Sequence, residues 1–410
     1  MMGRRFFPRL RERWPHGRGF LWLGVAAVVA LLIMALAPLA PLPENHSGPL
    51  SAAPGPTQSA KPGAGLQHVF IINVENKGYD RVWGAKSDSP YLSQTLRSQG
   101  VLLRQYYSIA PSSLPNYIAQ ISGQAENAKT ANDCAVYHGW KGKGIFPPGQ
   151  ELGSGCVYPS RVQTIANQLS SAGKTWKGYM EDMGTPCRHP ALGAADSSKA
   201  AKIGDQYATR HDPFVYFSAI TASPACQANV VDLSAMKNDL SSISTTPNLS
   251  YITPNLCDDG HDQPCVDGRY GDLSAVDAWL KQWVPLITAS PAFKKDGLLV
   301  ITFDESDDDH KDGPDSDSAS PGASPTGDPT ADPDSPVTGS ATGLPGGISG
   351  GLVGALLLSP IIRGGTFSDT PYNHYSLLAS LEDMFSLPYL GYAGAYRQNR
   401  FGADVYNGGR

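Results

Sequence analysis

The sequence predicts an α/β domain with a mostly parallel central sheet and helices on both faces, preceded by one N-terminal transmembrane helix. Three observations predict it. Short apolar runs rich in β-branched residues recur along the 410 residues, helix-like stretches alternate with them, and one long uncharged apolar segment lies near the N-terminus. Apolar runs of about four to eight residues suit strands buried on both faces. Their alternation with helices is the pattern of βα units.

The N-terminal elements read in order. Residues 1–18 form a basic tail carrying six Arg against one Glu. Residues 19–42 carry no charge and reach the roughly 20 residues that cross a bilayer as a helix. The arginines ahead of that segment keep the N-terminus cytoplasmic and send everything after it outside. The segment reads as an uncleaved anchor rather than a signal peptide, whose apolar part is about 7–15 residues. Pro38 also makes a poor context for cleavage after Ala35-Leu36-Ala37. Residues 43–65, rich in Pro, Gly, Ser and Ala, read as a flexible tether.

Residues 66–410 form the domain proper. Its first strand is the run from His68 to Val74, and comparable runs follow at Phe214–Phe217, Leu249–Thr253, Leu298–Phe303 and Leu352–Leu358. Helices are expected over Asn116–Ile121, Val162–Ala172, Leu233–Ile243 and Leu273–Ile287. Residues 306–347 interrupt the pattern with nine Asp in a low-complexity background. Such a segment buries too little apolar surface to order itself and reads as a disordered acidic insertion within one domain. Its acidic residues lack EF-hand spacing.

Charge and cysteine usage narrow the classes. The net charge of -5 is concentrated in the basic tail and the acidic insertion, leaving a nearly neutral body. With no basic stripe on that body, no nucleic-acid partner is expected. All six cysteines (Cys134, Cys156, Cys187, Cys226, Cys257, Cys265) fall on the exported side, an even count that suggests three disulfides. Chain proximity favours Cys134–Cys156, Cys187–Cys226 and Cys257–Cys265 without fixing the pairing. Zinc ligation, the rival use, finds no CxxC pair.

Ligands of open α/β sheets gather at the carboxyl ends of strands. Glu75-Asn76 follow the first strand, Asp304-Glu305 follow Leu298–Phe303, Asp258-Asp259-Gly260-His261-Asp262 lie beyond Leu249–Thr253, and Asn373-His374 lie beyond Leu352–Leu358. Carboxylates, an amide and imidazoles from four strand ends are the ingredients of a divalent-metal site. Ser113, just ahead of Pro115, sits where a helix begins. A hydroxyl there faces free N–H groups and the positive end of the helix dipole, which favour an anion. The same position also suits a helix cap, and Ser112 adjoins it. The remaining histidines (His16, His46, His68, His138, His189 and His310) fit tail, loop or strand-edge roles.

Several motifs in order resemble the phosphoesterase family of bacterial phospholipases C and acid phosphatases, within the alkaline phosphatase superfamily. They are Val74-Glu75-Asn76-Lys77-Gly78-Tyr79-Asp80, Ser113-Leu114-Pro115-Asn116-Tyr117, His211-Asp212-Pro213-Phe214, Asp259-Gly260-His261-Asp262, Thr302-Phe303-Asp304-Glu305 and Asn373-His374-Tyr375 running on to Leu378. The resemblance spans residues 66–392 and implies an alkaline phosphatase-like core. It implies metal ligation by Glu75, Asn76, Asp304, Glu305 and Asp259, a nucleophile in Ser113, and proton transfer by His261 and His374. Asn116 and His211 would contact the phosphoryl group. The implied activity is metal-dependent hydrolysis of a phosphate ester, a phosphomonoester or a phospholipid head group, through a phosphoserine, outside the cytoplasmic membrane. The cofactor would be a divalent ion: Ca²⁺, Mg²⁺ or Mn²⁺ with oxygen ligands, Zn²⁺ if histidines join them. Two alternatives stand beside it. One is a catalytically silent binding or adhesion module on the same fold. The other is a sulfatase or phosphoglycerol transferase, although Ser113-Leu114-Pro115-Asn116-Tyr117 lacks the Arg of a sulfatase modification motif.

Overall fold

The computed structural model describes residues 63, 65–307, 349–395 and 397–408. The basic tail, the apolar segment 19–42, nearly all of the tether and residues 308–347 of the insertion lie outside the described residues. So does the membrane anchor expected there. Among the described residues, no helix is long and apolar enough to cross a membrane.

Eight strands form the central sheet in the order Thr366–Ser368, Val101–Leu103, Ala355–Leu358, Gly297–Phe303, His68–Val74, Leu249–Thr253, Trp176–Met180, Val230–Asp232. Every neighbouring pair is parallel except the two made by Ala355–Leu358, which runs against both of its neighbours. The strands His68–Val74, Leu249–Thr253 and Gly297–Phe303 are buried at every residue. Burial on both faces is why each reads as a continuous apolar run rather than an alternating one.

These three strands are the centre of the sheet, and their register positions the chemistry. Val74 pairs with Phe303, so Glu75 and Asp304 leave the sheet side by side. The Asp304 amide donates to the Val74 carbonyl at 2.9 Å, and the Glu75 amide donates to the Asp259 carbonyl at 2.9 Å. Three chain segments are thereby joined one residue beyond the sheet.

Several local expectations are corrected. Phe214–Phe217 is no strand: Pro213–Tyr216 forms a 3₁₀ turn, buried throughout. The stretch from Leu233 breaks into the short turns Leu233–Ala235 and Met236–Asp239 instead of one helix. Because Ala355–Leu358 is antiparallel, its carboxyl end lies at the far edge of the sheet. Asn373 and His374 reach the near edge by another route. The chain returns through Thr366–Ser368, and Tyr372–Asn373 pairs in parallel with Tyr106–Tyr107 before the helix His374–Phe385 begins. The helices Ser113–Ser122, Ile165–Ser171 and Asp272–Ala289 fall where periodicity puts them.

All three disulfides expected from chain proximity are present: Cys134–Cys156, Cys187–Cys226 and Cys257–Cys265. The last closes the loop that carries Asp259 and His261. Within that loop Gly260 has φ +95°, and a Cβ there would lie 2.9 Å from Val276. Only glycine makes this turn without strain.

Candidate active site

Ser113 is the first residue of its helix, with Ser112 at the cap position. The two neighbouring hydroxyls are separated by their partners. Ser112 Oγ turns away to the Ala131 carbonyl, 3.0 Å, whereas Ser113 Oγ donates to Glu75 Oε2 at 2.8 Å. The cap role falls to Asp133, whose Oδ1 accepts from the Leu114 amide at 2.9 Å. Ser113 is thus free of the capping duty that its position alone would suggest.

Glu75 is fully buried. Its other oxygen accepts from the Tyr117 hydroxyl, one turn along the same helix. His211 lies flat on the Tyr117 ring, with centroids 5.3 Å apart and an interplanar angle of 7°. Its Nε2 is 3.3 Å from Glu75 Oε2, and its Nδ1 is 3.2 Å from Asp259 Oδ2. Neither ring nitrogen has hydrogen-bond geometry, and Asp259 Oδ2 has no hydrogen-bond partner either. Glu75, His211 and Asp259 each offer a ligand atom within 4.8 Å of the other two.

On the other side of Glu75, Asp304 Oδ1 accepts from the Asn76 amide at 3.0 Å, and Glu305 Oε1 accepts from Asn76 Nδ2 at 3.2 Å. Asn76 adopts φ +42° to make this turn, a conformation that Asn tolerates better than most residues. Asp304 Oδ2 and Asn76 Oδ1 are buried without partners. Burial, then the Glu75 charge, pushes the Asp259 and Asp304 carboxyls well above the ordinary range. The same two causes raise Glu305 to about 9. Burial, then Arg210 and His261, pushes His211 well below the usual imidazole value.

Each buried polar atom left unpaired costs about 1–3 kcal/mol, more if charged. Two carboxylate oxygens, an amide oxygen and two imidazole nitrogens go unpaired around one glutamate. A divalent cation would satisfy such a donor set: Glu75, His211 and Asp259 offer ligand atoms close enough to share one, while Asp304, Glu305 and Asn76 lie together on the other side of Glu75. His211, expected to contact the phosphoryl group, therefore lies among the candidate ligands.

Two other expected site residues are fully engaged in this structure. Asn116 is saturated: its Oδ1 accepts from the Ile109 and Ala110 amides, and its Nδ2 donates to the Ala110 and Ser112 carbonyls. It fixes the loop before the helix and has nothing left for a phosphoryl oxygen. His374 is fully buried with both nitrogens engaged. Nε2 lies 2.7 Å from the Asp304 carbonyl, which can only accept, so Nε2 carries the proton. Nδ1 then accepts from Tyr106 and Gln120, both at 3.1 Å. Burial lowers its pKa to about 4. A ring held this way has no free nitrogen for a leaving group. His261 differs. It is exposed, with Nδ1 2.9 Å from Asp262 Oδ1 and Nε2 3.3 Å from Arg210. Sequence reasoning missed Arg210 and Tyr117 as site residues, although each adjoins or belongs to a quoted motif.

An open, mostly parallel sheet with carboxylates, an imidazole and a helix-mouth hydroxyl gathered at its carboxyl edge defines an α/β protein with a switch-edge ligand site. The chain belongs to the phosphoesterase family, whose profile matches residues 86–388. It is 24% identical over 332 residues to a Kluyveromyces lactis protein named "Probable acid phosphatase", covering 80% of this chain and 60% of that one. It is 23% identical over 375 residues to an Aspergillus fumigatus acid phosphatase, covering 90% and 66%. It is 26% identical over 326 residues to a Mycobacterium tuberculosis phosphatidylinositol-3-phosphatase, covering 80% and 79%. The chain thus spans less than two thirds of the length of the two fungal relatives. A Vibrio parahaemolyticus crystal structure described as a member of the alkaline phosphatase superfamily overlays with a TM-score of 0.46 at 12% identity, covering 78% of this chain and 67% of that chain.

Proposed function

We propose that the chain is a metal-dependent phosphoesterase that cleaves a phosphate ester through a phosphoserine on Ser113, and that residues 19–42 hold it on the outer side of the cytoplasmic membrane. One observation carries this reading. The Ser113 hydroxyl donates to a buried glutamate at 2.8 Å, and that glutamate lies within a set of unpaired ligand atoms. Relatives named as acid phosphatases and as a phosphatidylinositol-3-phosphatase support the choice of phosphate esters.

The residues divide the work. Glu75 receives the Ser113 proton along the existing hydrogen bond, leaving an oxygen able to attack phosphorus. The start of the helix Ser113–Ser122 presents its positive end to the phosphoryl oxygens. Glu75, His211 and Asp259, with Asp304 beside them, would hold a divalent cation, which would supply neutralisation of the phosphoryl charge and acidification of the Ser113 hydroxyl. Glu305, through Asn76, anchors the turn that sets Glu75 and Asp304 side by side. His261 is the solvent-open histidine beside the site: once the Arg210 contact at Nε2 is released, that nitrogen would carry a proton to the leaving alkoxide. His374 positions the Asp304 carbonyl from beneath.

The test uses the full-length protein with p-nitrophenyl phosphate. Ser113→Ala is expected to lose at least about a hundredfold in kcat while keeping its thermal transition, as loss of a covalent nucleophile requires. Acid-quenched wild-type protein should carry phosphate on Ser113 by mass spectrometry. Full activity in the alanine variant would reject the covalent mechanism, and a wild-type protein that binds divalent ions yet releases no phosphate would favour the silent binding module.

A further inference from the structure

Among the described residues, Arg210 is buried without a direct ion-pair partner. It ends one position before His211 in the turn Thr209–His211 and is 4% exposed. Its Nη1 donates to the Lys199 carbonyl at 3.1 Å, and its Nη2 faces His261 Nε2 at 3.3 Å. Neither partner is a carboxylate. Among the described residues, no carboxylate forms an ion pair with it, whereas Lys77, Arg81 and Arg188 each sit on one. A guanidinium has five N–H groups in a rigid fork, and with only these two contacts made, N–H groups remain for a further acceptor. Such a cation is poised for an anion that arrives.

The surroundings say which anion. His261 is backed by Asp262, so its Nε2 lone pair meets Arg210, and its ring centroid lies 6.3 Å from that of His211. His211 in turn is 3.3 Å from the Glu75 oxygen that accepts the Ser113 hydroxyl. Asp133, which caps the helix of Ser113, lies within reach of the Arg210 charge. The guanidinium therefore borders the recess of the hydroxyl. That recess is closed: Ser113 is 3% exposed and Glu75, Asp259 and Asp304 are fully buried. A closed recess takes the end of a molecule, whereas a diester continues on both sides of phosphorus.

We infer that Arg210 receives a non-bridging oxygen of a terminal phosphoryl group and thereby sets the site for phosphate monoesters over diesters. The inference rests on the phosphoesterase reading above. A monoester dianion offers three terminal oxygens and two charges, so one oxygen remains for a guanidinium after nucleophile-side contacts are made. A diester offers two terminal oxygens and one charge. Charge-assisted contacts from a guanidinium fork discriminate strongly between the two.

The experiment compares full-length wild type, Arg210→Gln and Arg210→Lys on p-nitrophenyl phosphate and bis-p-nitrophenyl phosphate. In parallel, inorganic phosphate is titrated calorimetrically into Ser113→Ala with and without Arg210→Gln. Arg210→Gln should lose about a hundredfold in kcat/KM on the monoester, less than about threefold on the diester, and about tenfold or more in phosphate affinity. Arg210→Lys, which keeps the charge, should recover about tenfold of the monoester loss. Equal losses on both esters, or an unchanged phosphate Kd, would overturn the assignment. A folding defect in the Gln variant shows as a lowered thermal transition, and the monoester-to-diester ratio of the Lys variant then decides. Wild-type protein that cleaves neither ester would sink the phosphoesterase reading alone, since the phosphate titration still reports on Arg210.

Discussion

Two polar clusters lie at the carboxyl edge of this sheet, both buried, and they differ in one respect. Around His374, the ring and its direct partners are paired: Nε2 with the Asp304 carbonyl, Nδ1 with Tyr106 and Gln120, and Gln120 Oε1 with the Tyr251 hydroxyl at 2.8 Å; Asn73 Nδ2, one contact beyond Gln120, lacks a partner. Around Glu75, both nitrogens of His211 and one oxygen each of Asp259, Asp304 and Asn76 have no hydrogen-bond partner. Burial and polarity are alike in the two places. Satisfaction is what separates a scaffold from a site, because the first cluster is complete without a ligand and the second is not.

The largest effect that could break this comparison is removal of divalent ions. Chelation of the full-length protein is expected to cost at least about a thousandfold in phosphate release and to lower the thermal transition, with recovery on adding the ion back. If neither activity nor melting moves, the unpaired atoms around Glu75 are not ligands. The companion substitution is His374→Phe. It strips a partner from Tyr106, from Gln120 and from the Asp304 carbonyl, and should destabilise by about 2–4 kcal/mol in denaturant titrations. That loss should be the same with and without chelator. A chelator-dependent loss would show that the two clusters are one.

Why one cluster was legible and the other only half so comes down to range. Glu75-Asn76 and Asp304-Glu305 follow the longer apolar runs, whose length and β-branched content favour buried strands, and the parallel order then brings their ends together. The strand Trp176–Met180 escaped because Lys177 and Gly178 dilute its apolar pattern, with Lys177 meeting Asp239 at 2.6 Å. Phe214–Phe217 misled because a short apolar run is equally consistent with a buried turn. Asn116 has the right chemistry for a phosphoryl contact, but whether its four bonding positions are free depends on the path of Ile109–Ser112. Residue type cannot reveal that path. His211 took its place through stacking on Tyr117, and Arg210 through burial without a carboxylate. Neither is encoded in local spacing.

The loop closed by Cys257–Cys265 offers a smaller and sharper test. It carries Asp259 and His261 on the ligand side of the comparison, whereas no member of the His374 cluster lies within it. Replacing both cysteines by Ala should cost about 2–3 kcal/mol by the loop-entropy estimate. It should also weaken metal affinity, measured by competition with a fluorescent chelator, because Asp259 loses its fixed position. Stability lost with metal affinity unchanged would mean that the backbone bond from Glu75 to Asp259 alone holds that ligand.

The smallest effect concerns another buried carboxylate, which is not among the candidate ligands. Glu382 lies in the helix His374–Phe385, fully buried. One oxygen accepts from the Leu390 amide at 2.9 Å and the other has no partner. Burial raises its pKa from 4.5 to about 9, so the folded protein keeps a proton that the unfolded chain releases. Its contribution is present in full below about pH 4.5 and is lost as pH climbs towards 9, since over that window the native state binds more protons. Glu382→Gln preserves the acceptor for Leu390 and removes the titration. The variant should match wild type near pH 5 and exceed it by about 1–2 kcal/mol at pH 9, with water entering at the helix end limiting the gain. Denaturant midpoints across that range provide the measurement. A constant difference at all pH values would mean that Glu382 is ionised in the fold and that an unpaired buried oxygen can persist without a proton or a cation, which would weaken the same inference for Asp259 and Asp304.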